Sequence, residues 1–125
     1  MKPDHNRKIM GTYRTIVLVD DQVVTLRYMR DLLNISGFDN VVIYEDPLLA
    51  LADIEQNKVK PDLLIADYRM PEMNGKELLD KAKTLIPDVQ TIIITACASD
   101  VESCEYRIVE KDLSSVEHFI NEISK

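Results

Sequence analysis

The sequence predicts an α/β protein built on a doubly wound parallel sheet of five strands, with helices on both faces. Two observations carry this. Five short apolar, β-branched runs alternate with longer segments of helical period, and repeated strand–helix alternation builds parallel sheets. The runs, Thr15–Val19, Val41–Tyr44, Leu63–Ala66, Thr91–Thr95 and Tyr106–Val109, are mostly continuous in their apolarity, as strands covered on both faces must be. Right-handed crossovers then distribute the helices to the two sides.

The helices follow in order. Val23, Leu26, Met29 and Leu33 form one stripe. Pro47 opens a second helix behind the cap Asp46, because proline suits the first helical position, and Leu48, Leu51 and Ile54 mark its apolar face. Leu78, Leu79, Ala82, Leu85 and Ile86 mark a third, and Leu113, Val116, Phe119, Ile120 and Ile123 the last. Between Thr95 and Tyr106 the stretch Ser99-Asp100-Val101-Glu102 has capping-box spacing, but only a turn or two of helix fits there.

A chain of 125 residues suits one domain, and a domain near this size buries roughly two thirds of its unfolded surface. With 46% hydrophobic and 30% charged residues the composition is globular, not disordered. Residues 1–14 read as a polar N-terminal extension and 15–125 as the folded domain. A net charge of −7 argues against nucleic acid and anionic membranes as partners, and fits cation binding where carboxylates converge. No apolar run reaches the ~18 residues of a membrane span, and no signal peptide is evident, so the expected compartment is the cytoplasm. Cys97 and Cys104 match no zinc pattern and are expected to be free thiols.

Ligands of such sheets bind beyond the carboxyl ends of the strands, at the topological switch point. If the strand order is 2-1-3-4-5, that point lies between the first and third strands. The first ends in Asp20-Asp21 and the third in Asp67, so three carboxylates converge. Close anions repel one another, and a hard divalent cation with oxygen ligands offsets that repulsion; Mg²⁺ is the natural choice. Thr95 ends the fourth strand and Lys111 follows the fifth. A hydroxyl and an ammonium beside acids suit phosphoryl transfer, where positioning and electrostatic stabilisation dominate, with one carboxylate as nucleophile. The alternatives are plain: Asp20 or Asp21 as helix cap, Asp67 as a loop acid, Thr95 as a β-branched strand residue, Lys111 as a solvated lysine. His5, in the extension, and His118, on the last helix, are poor phosphate carriers by position.

Asp20-Asp21, Asp67-Tyr68-Arg69-Met70-Pro71-Glu72-Met73-Asn74-Gly75, Thr95-Ala96 and Lys111 together resemble the receiver domains of bacterial response regulators, in two-component signalling. The resemblance spans nearly the whole chain from Thr15, and it implies the flavodoxin-like order 2-1-3-4-5. It implies that Asp67 accepts a phosphoryl group from a phosphohistidine on a sensor kinase or phosphotransfer protein. It further implies that Asp21 and Asp67 bind Mg²⁺ directly, Asp20 through water, and the Arg69 carbonyl as the remaining protein ligand. Thr95 and Lys111 would contact the phosphoryl oxygens, with Thr95 as the switch residue. The implied protein is a switch that phosphorylates itself and assists its own dephosphorylation rather than a turnover enzyme. Its downstream effector is open, and homodimer formation is compatible with the family.

Three departures stand out. Asp112 follows Lys111 where receivers usually have a cis-linked proline; Asp112 also reads as the cap of the last helix. Ile108 holds the usual aromatic switch position, with Tyr106 two residues earlier on the same side of the strand. The segment from Thr95 to Lys111 is short, so the fourth family helix must be truncated or irregular. These support an alternative, a receiver-like protein-interaction module that phosphorylation does not switch. A phosphatase with an aspartyl nucleophile usually has a second acid two residues on, where this chain has Arg69. A flavin carrier is disfavoured by the anionic loop at Asp20-Asp21.

Overall fold

The computed structural model describes residues 13–101 and 105–124. The elements are β1 (Ile16–Val19), α1 (Val23–Ile35), β2 (Val41–Tyr44), α2 (Pro47–Glu55), β3 (Leu63–Asp67), α3 (Gly75–Leu85), β4 (Gln90–Thr95), a 3-10 turn (Ala98–Asp100), β5 (Arg107–Glu110) and α4 (Leu113–Ile123). The five strands are all parallel, in the order β2-β1-β3-β4-β5. The doubly wound prediction holds, and the switch point falls between β1 and β3.

Period-two alternation sorts the buried strand residues between two cores. Ile16, Leu18, Leu63, Ile65, Ile92 and Ile94 face Leu26, Met29 and Leu33 of α1 and Val116, Phe119, Ile120 and Ile123 of α4. Val17, Val19, Leu64, Ala66 and Ile93 face Ala50 and Ile54 of α2 and Leu78, Leu79 and Ala82 of α3. Every residue of β1 and β3 is buried, which explains the unbroken apolar runs Ile16–Val19 and Leu63–Ala66.

The helix starts are chemical. Asp46 accepts a hydrogen bond from the Leu48 amide at 2.9 Å, with Pro47 in the first turn. Asp112 caps α4 by accepting from the Ser115 amide at 2.8 Å. At α3, Asn74 accepts from the Glu77 amide and the Glu77 carboxylate accepts from the Asn74 amide, both at 2.9 Å, forming a reciprocal capping box. Both bonds shape the loop that follows Asp67.

Several expectations shift. β5 runs from Arg107 to Glu110, one residue later than predicted. Tyr106 precedes the strand, yet it is buried against the α2–α3 core with Ile108 packed nearby, so the shared side deduced from period two holds. Its hydroxyl donates to Asp80 Oδ1 on α3 at 2.5 Å. On α2 the buried face is Pro47, Ala50 and Ile54, and Leu48 is exposed; so is Leu113 at the start of α4. Both leucines sit in first turns, where helical period alone does not say which way the chain enters the core. Between β4 and β5 the described residues contain one 3-10 turn and no α-helix, so the truncation read from the short segment is present. Cys104 and Glu102 lie outside the described residues, as do His5 and nearly all of the 1–14 extension.

Candidate functional site

Each candidate side chain stands at the carboxyl end of a strand. Asp20 and Asp21 follow β1, Asp67 closes β3, Thr95 closes β4 and Lys111 follows β5. Asp20, Asp67 and Thr95 are the buried polar residues among those described, while Asp21 is exposed at the crevice mouth. One carboxylate oxygen from each of Asp20, Asp21 and Asp67 lies within 4.8 Å of the others.

Lys111 reaches into this cluster. Its ammonium lies 2.8 Å from Asp20 Oδ2 and 3.5 Å from Asp67 Oδ1. No cis peptide occurs among the described residues, so the Lys111–Asp112 bond is trans and the lysine still enters the crevice. The Lys111 amide donates to the Thr95 carbonyl at 2.8 Å, which anchors the end of β5 to the end of β4. Gln22, which sequence reasoning passed over, completes the arrangement. Its amide donates to Asp20 Oδ1 at 2.9 Å and its side-chain oxygen accepts from Lys111 at 3.0 Å. The signal was present, since an aspartate commonly accepts from the amide two residues on.

The electrostatics are those of a site short of positive charge. Burial, followed by the charge of Asp20, pushes the Asp67 carboxyl up to about 6 against the opposing pull of Lys111. Burial also raises Asp20, against the opposing pull of the Lys111 ammonium and the Gln22 amide. Asp20 Oδ2 is fully buried with no hydrogen bond directed onto it; the 2.8 Å approach of Lys111 is an ion pair out of line for a hydrogen bond. An all-oxygen cluster with an unsatisfied buried carboxylate oxygen fits a hard divalent cation.

This strain sets the sign of a pH effect. Between pH about 4 and 6 the folded protein keeps a proton on Asp67 that the unfolded chain has released. The stability this contributes is full below about pH 4 and is lost as pH rises through 6. Asp67→Asn is therefore expected to stabilise the cation-free protein at pH 7 by about 1–2 kcal/mol after screening, and by less at pH 5. Urea denaturation in chelator at the two pH values measures this; an Asn variant less stable than wild type at pH 7 contradicts it.

Thr95 faces elsewhere. Its hydroxyl donates to the Cys97 carbonyl at 3.2 Å and accepts from the Cys97 amide at 3.3 Å. Cys97 is a free, exposed thiol, with Sγ 3.0 Å from Ser99 Oγ. The Arg69 side chain leaves the crevice floor and its Nε bonds Asp100 Oδ2 at 2.8 Å. Met70 and Met73 pack on the α2–α3 core. His118 is exposed on α4, apart from the carboxylate cluster.

Gly75 holds the loop that follows Asp67. Its amide donates to the Tyr68 carbonyl at 2.8 Å, and a β-carbon here would stand 2.5 Å from the Asp67 carbonyl oxygen. Glu72, with φ of 72°, takes the left-handed region in the same loop, a conformation that non-glycine residues adopt at a cost and that gathers near functional sites.

A five-stranded 2-1-3-4-5 sheet with an acid cluster at its switch point defines a receiver-type domain. The chain belongs to the response regulator receiver domain family, which it matches over residues 16–111. It is 35% identical over 82 residues to a protein-glutamate methylesterase/protein-glutamine glutaminase of Trichodesmium erythraeum, covering 65% of this chain and 23% of that protein. It is 39% identical over 83 residues to the cyclic di-GMP phosphodiesterase response regulator RpfG of Xanthomonas campestris pv. campestris, covering 64% and 21% respectively. The chain thus spans about a quarter or less of these two relatives, at 23% and 21% of their lengths. Among solved structures, a two component transcriptional regulator AraC from Clostridium phytofermentans superposes with TM-score 0.72 at 29% identity, covering 86% of this chain and 88% of that one. The receiver domain of the hybrid histidine kinase CckA gives TM-score 0.71 at 24% identity, over 89% and 99%, and shares the fold. No helix among the described residues is long and apolar enough to cross a membrane.

Proposed function

We propose that this receiver domain is a phosphorylation switch whose acceptor is Asp67, and that a phosphohistidine on a sensor kinase or phosphotransfer protein supplies the phosphoryl group. The observation that carries this reading is the convergence of Asp20, Asp21 and Asp67 at one crevice, with Lys111 bridging two of them. A carboxylate oxygen of Asp67 attacks phosphorus, the P–N bond to the donor imidazole breaks, and its electron pair returns to the ring nitrogen. Asp67 must be ionised to attack, and the ammonium of Lys111 favours that form while standing ready for the phosphoryl oxygens. Thr95 supplies a hydroxyl once it leaves Cys97.

Asp20, Asp21 and Asp67, with the Arg69 carbonyl, are the residues that would hold Mg²⁺. When bound, the ion neutralises charge on the carboxylates and on the transferring group. The chain's own activity is then self-phosphorylation and assisted hydrolysis, and the unit responsible is residues 15–125. The output is carried by a partner or by further domains of the kind that lengthen the relatives.

Incubation with Mg²⁺ and acetyl phosphate, read by intact mass, tests this. The expected result is a gain of one phosphoryl group in wild type and none in Asp67→Asn. Beryllofluoride, which mimics the acyl phosphate without hydrolysing, guards against rapid turnover. No mass gain and no beryllofluoride binding would leave the unswitched interaction module as the better account, a reading favoured by the 3-10 turn that stands in place of an α-helix among the described residues between β4 and β5.

A further inference from the structure

The family's aromatic switch position is Ile108 here, and the nearby Tyr106 hydroxyl is committed to Asp80 on α3. A signal leaving Asp67 needs another path to the surface. One pair of side chains supplies it. Arg69 lies two residues after Asp67, and Asp100 closes the 3-10 turn that follows Thr95. Their 2.8 Å contact straps the loop after β3 to the connection after β4. Both line an open polar cavity of about 540 Å³ at the crevice mouth, together with Asp21 and Asn74, and among the described residues Arg69 is the sole cation in that lining.

We propose that the Arg69–Asp100 ion pair is a latch that phosphorylation opens: the guanidinium leaves Asp100 for the phosphoryl oxygens on Asp67, and the Ala98–Asp100 turn loosens. The proposal rests on Asp67 being the acceptor. The latch is weak by construction. The Arg69 side chain is 73% exposed and that of Asp100 31%, so the pair is strongly screened. A phosphoryl group carries more charge than a carboxylate and offers three strong acceptor oxygens, which a guanidinium prefers.

The second half of the device lies in the turn. The Cys97 carbonyl accepts both the Thr95 hydroxyl, at 3.2 Å, and the Asp100 amide, at 3.0 Å. The Val101 amide closes on the Ala98 carbonyl at 3.2 Å. When the Thr95 hydroxyl turns to the phosphoryl group, the carbonyl that holds Asp100 loses its other tie. Two events at the phosphate, one through Arg69 and one through Thr95, thus release the same three residues. The surface they form sits where the family has a helix, so the latch converts the truncation into a switch element.

Amide hydrogen exchange on the full chain tests this, with intact mass recorded on the same samples. In wild type with Mg²⁺ and acetyl phosphate, the Asp100 and Val101 amides are expected to exchange about tenfold faster than without the donor. Asp100→Asn is expected to exchange faster than unphosphorylated wild type without the donor and to accelerate less than wild type with it, since only the Thr95 event remains. Unphosphorylated Arg69→Gln is expected to match it. A wild-type mass gain with unchanged or increased protection at these amides overturns the latch alone, as does an Asp100→Asn protein that accelerates on phosphorylation like wild type. Absence of any mass gain overturns the acceptor assignment and the latch with it.

Discussion

Lys111→Met is expected to destabilise the cation-free protein by about 2–4 kcal/mol at pH 7, because it strips the counter-charge from two buried carboxylates. Lys111 is itself largely buried, with its side chain 12% exposed. The loss is therefore not that of a surface ion pair. Without the ammonium, Asp20 and Asp67, both already raised, are pushed further up and take protons nearer neutrality. The penalty therefore shrinks as pH falls from 7 to 5, since protonated carboxyls no longer need the lysine. The double variant Lys111→Met/Asp20→Asn is expected to recover much of the stability, because it removes the orphaned charge together with its partner. Urea midpoints at both pH values decide this. An equal loss at pH 5 and pH 7 shows that the lysine acts through packing of its stem and not through its charge.

Gly75→Ala is expected to cost about 2–3 kcal/mol, against the direction that helix propensity alone dictates. Within a helix, alanine is favoured over glycine by up to ~1 kcal/mol. Here the new β-carbon meets the Asp67 carbonyl oxygen at 2.5 Å and the Asp67 carbon and Tyr68 Cα at 3.1 Å. These are backbone atoms, which cannot rotate away. Either α3 shifts outward or the end of β3 moves, and the Asp67 carboxylate moves with it. The variant is accordingly expected to lose stability and, with it, the phosphoryl acceptance proposed for Asp67. A denaturation midpoint equal to or above wild type would show that the loop yields at no cost.

The legibility of this chain follows from the range of each interaction. Strand runs were readable because parallel strands are covered on both faces, so Ile16–Val19 and Leu63–Ala66 carry no polar interruption. Caps were readable at Asp46 and Asp112 because a cap is a contact within three residues. The Asn74–Glu77 box obeys the same local rule, and its spacing stood in the sequence unread. The same spacing at Ser99-Asp100-Val101-Glu102 opens no α-helix among the described residues, only the 3-10 turn Ala98–Asp100. The convergence of Asp20, Asp21 and Asp67 followed from strand ends and the switch-point rule, which turns topology into proximity.

By itself, then, the sequence determined the alternation of strands and helices, the period-two sorting of side chains, and the identity of the acids at the strand ends. All of these are set by residues within a few positions of one another, or by a rule of topology. Only the tertiary structure decided that Gln22 clasps both Asp20 and Lys111, that Gly75 lies against the Asp67 carbonyl, that Tyr106 is tied to Asp80, and that Arg69 is strapped to Asp100. Apart from the Gln22 amide on Asp20, each joins separate elements of the chain. The distances involved are fixed by packing of the two cores and leave no periodic trace in the residues themselves.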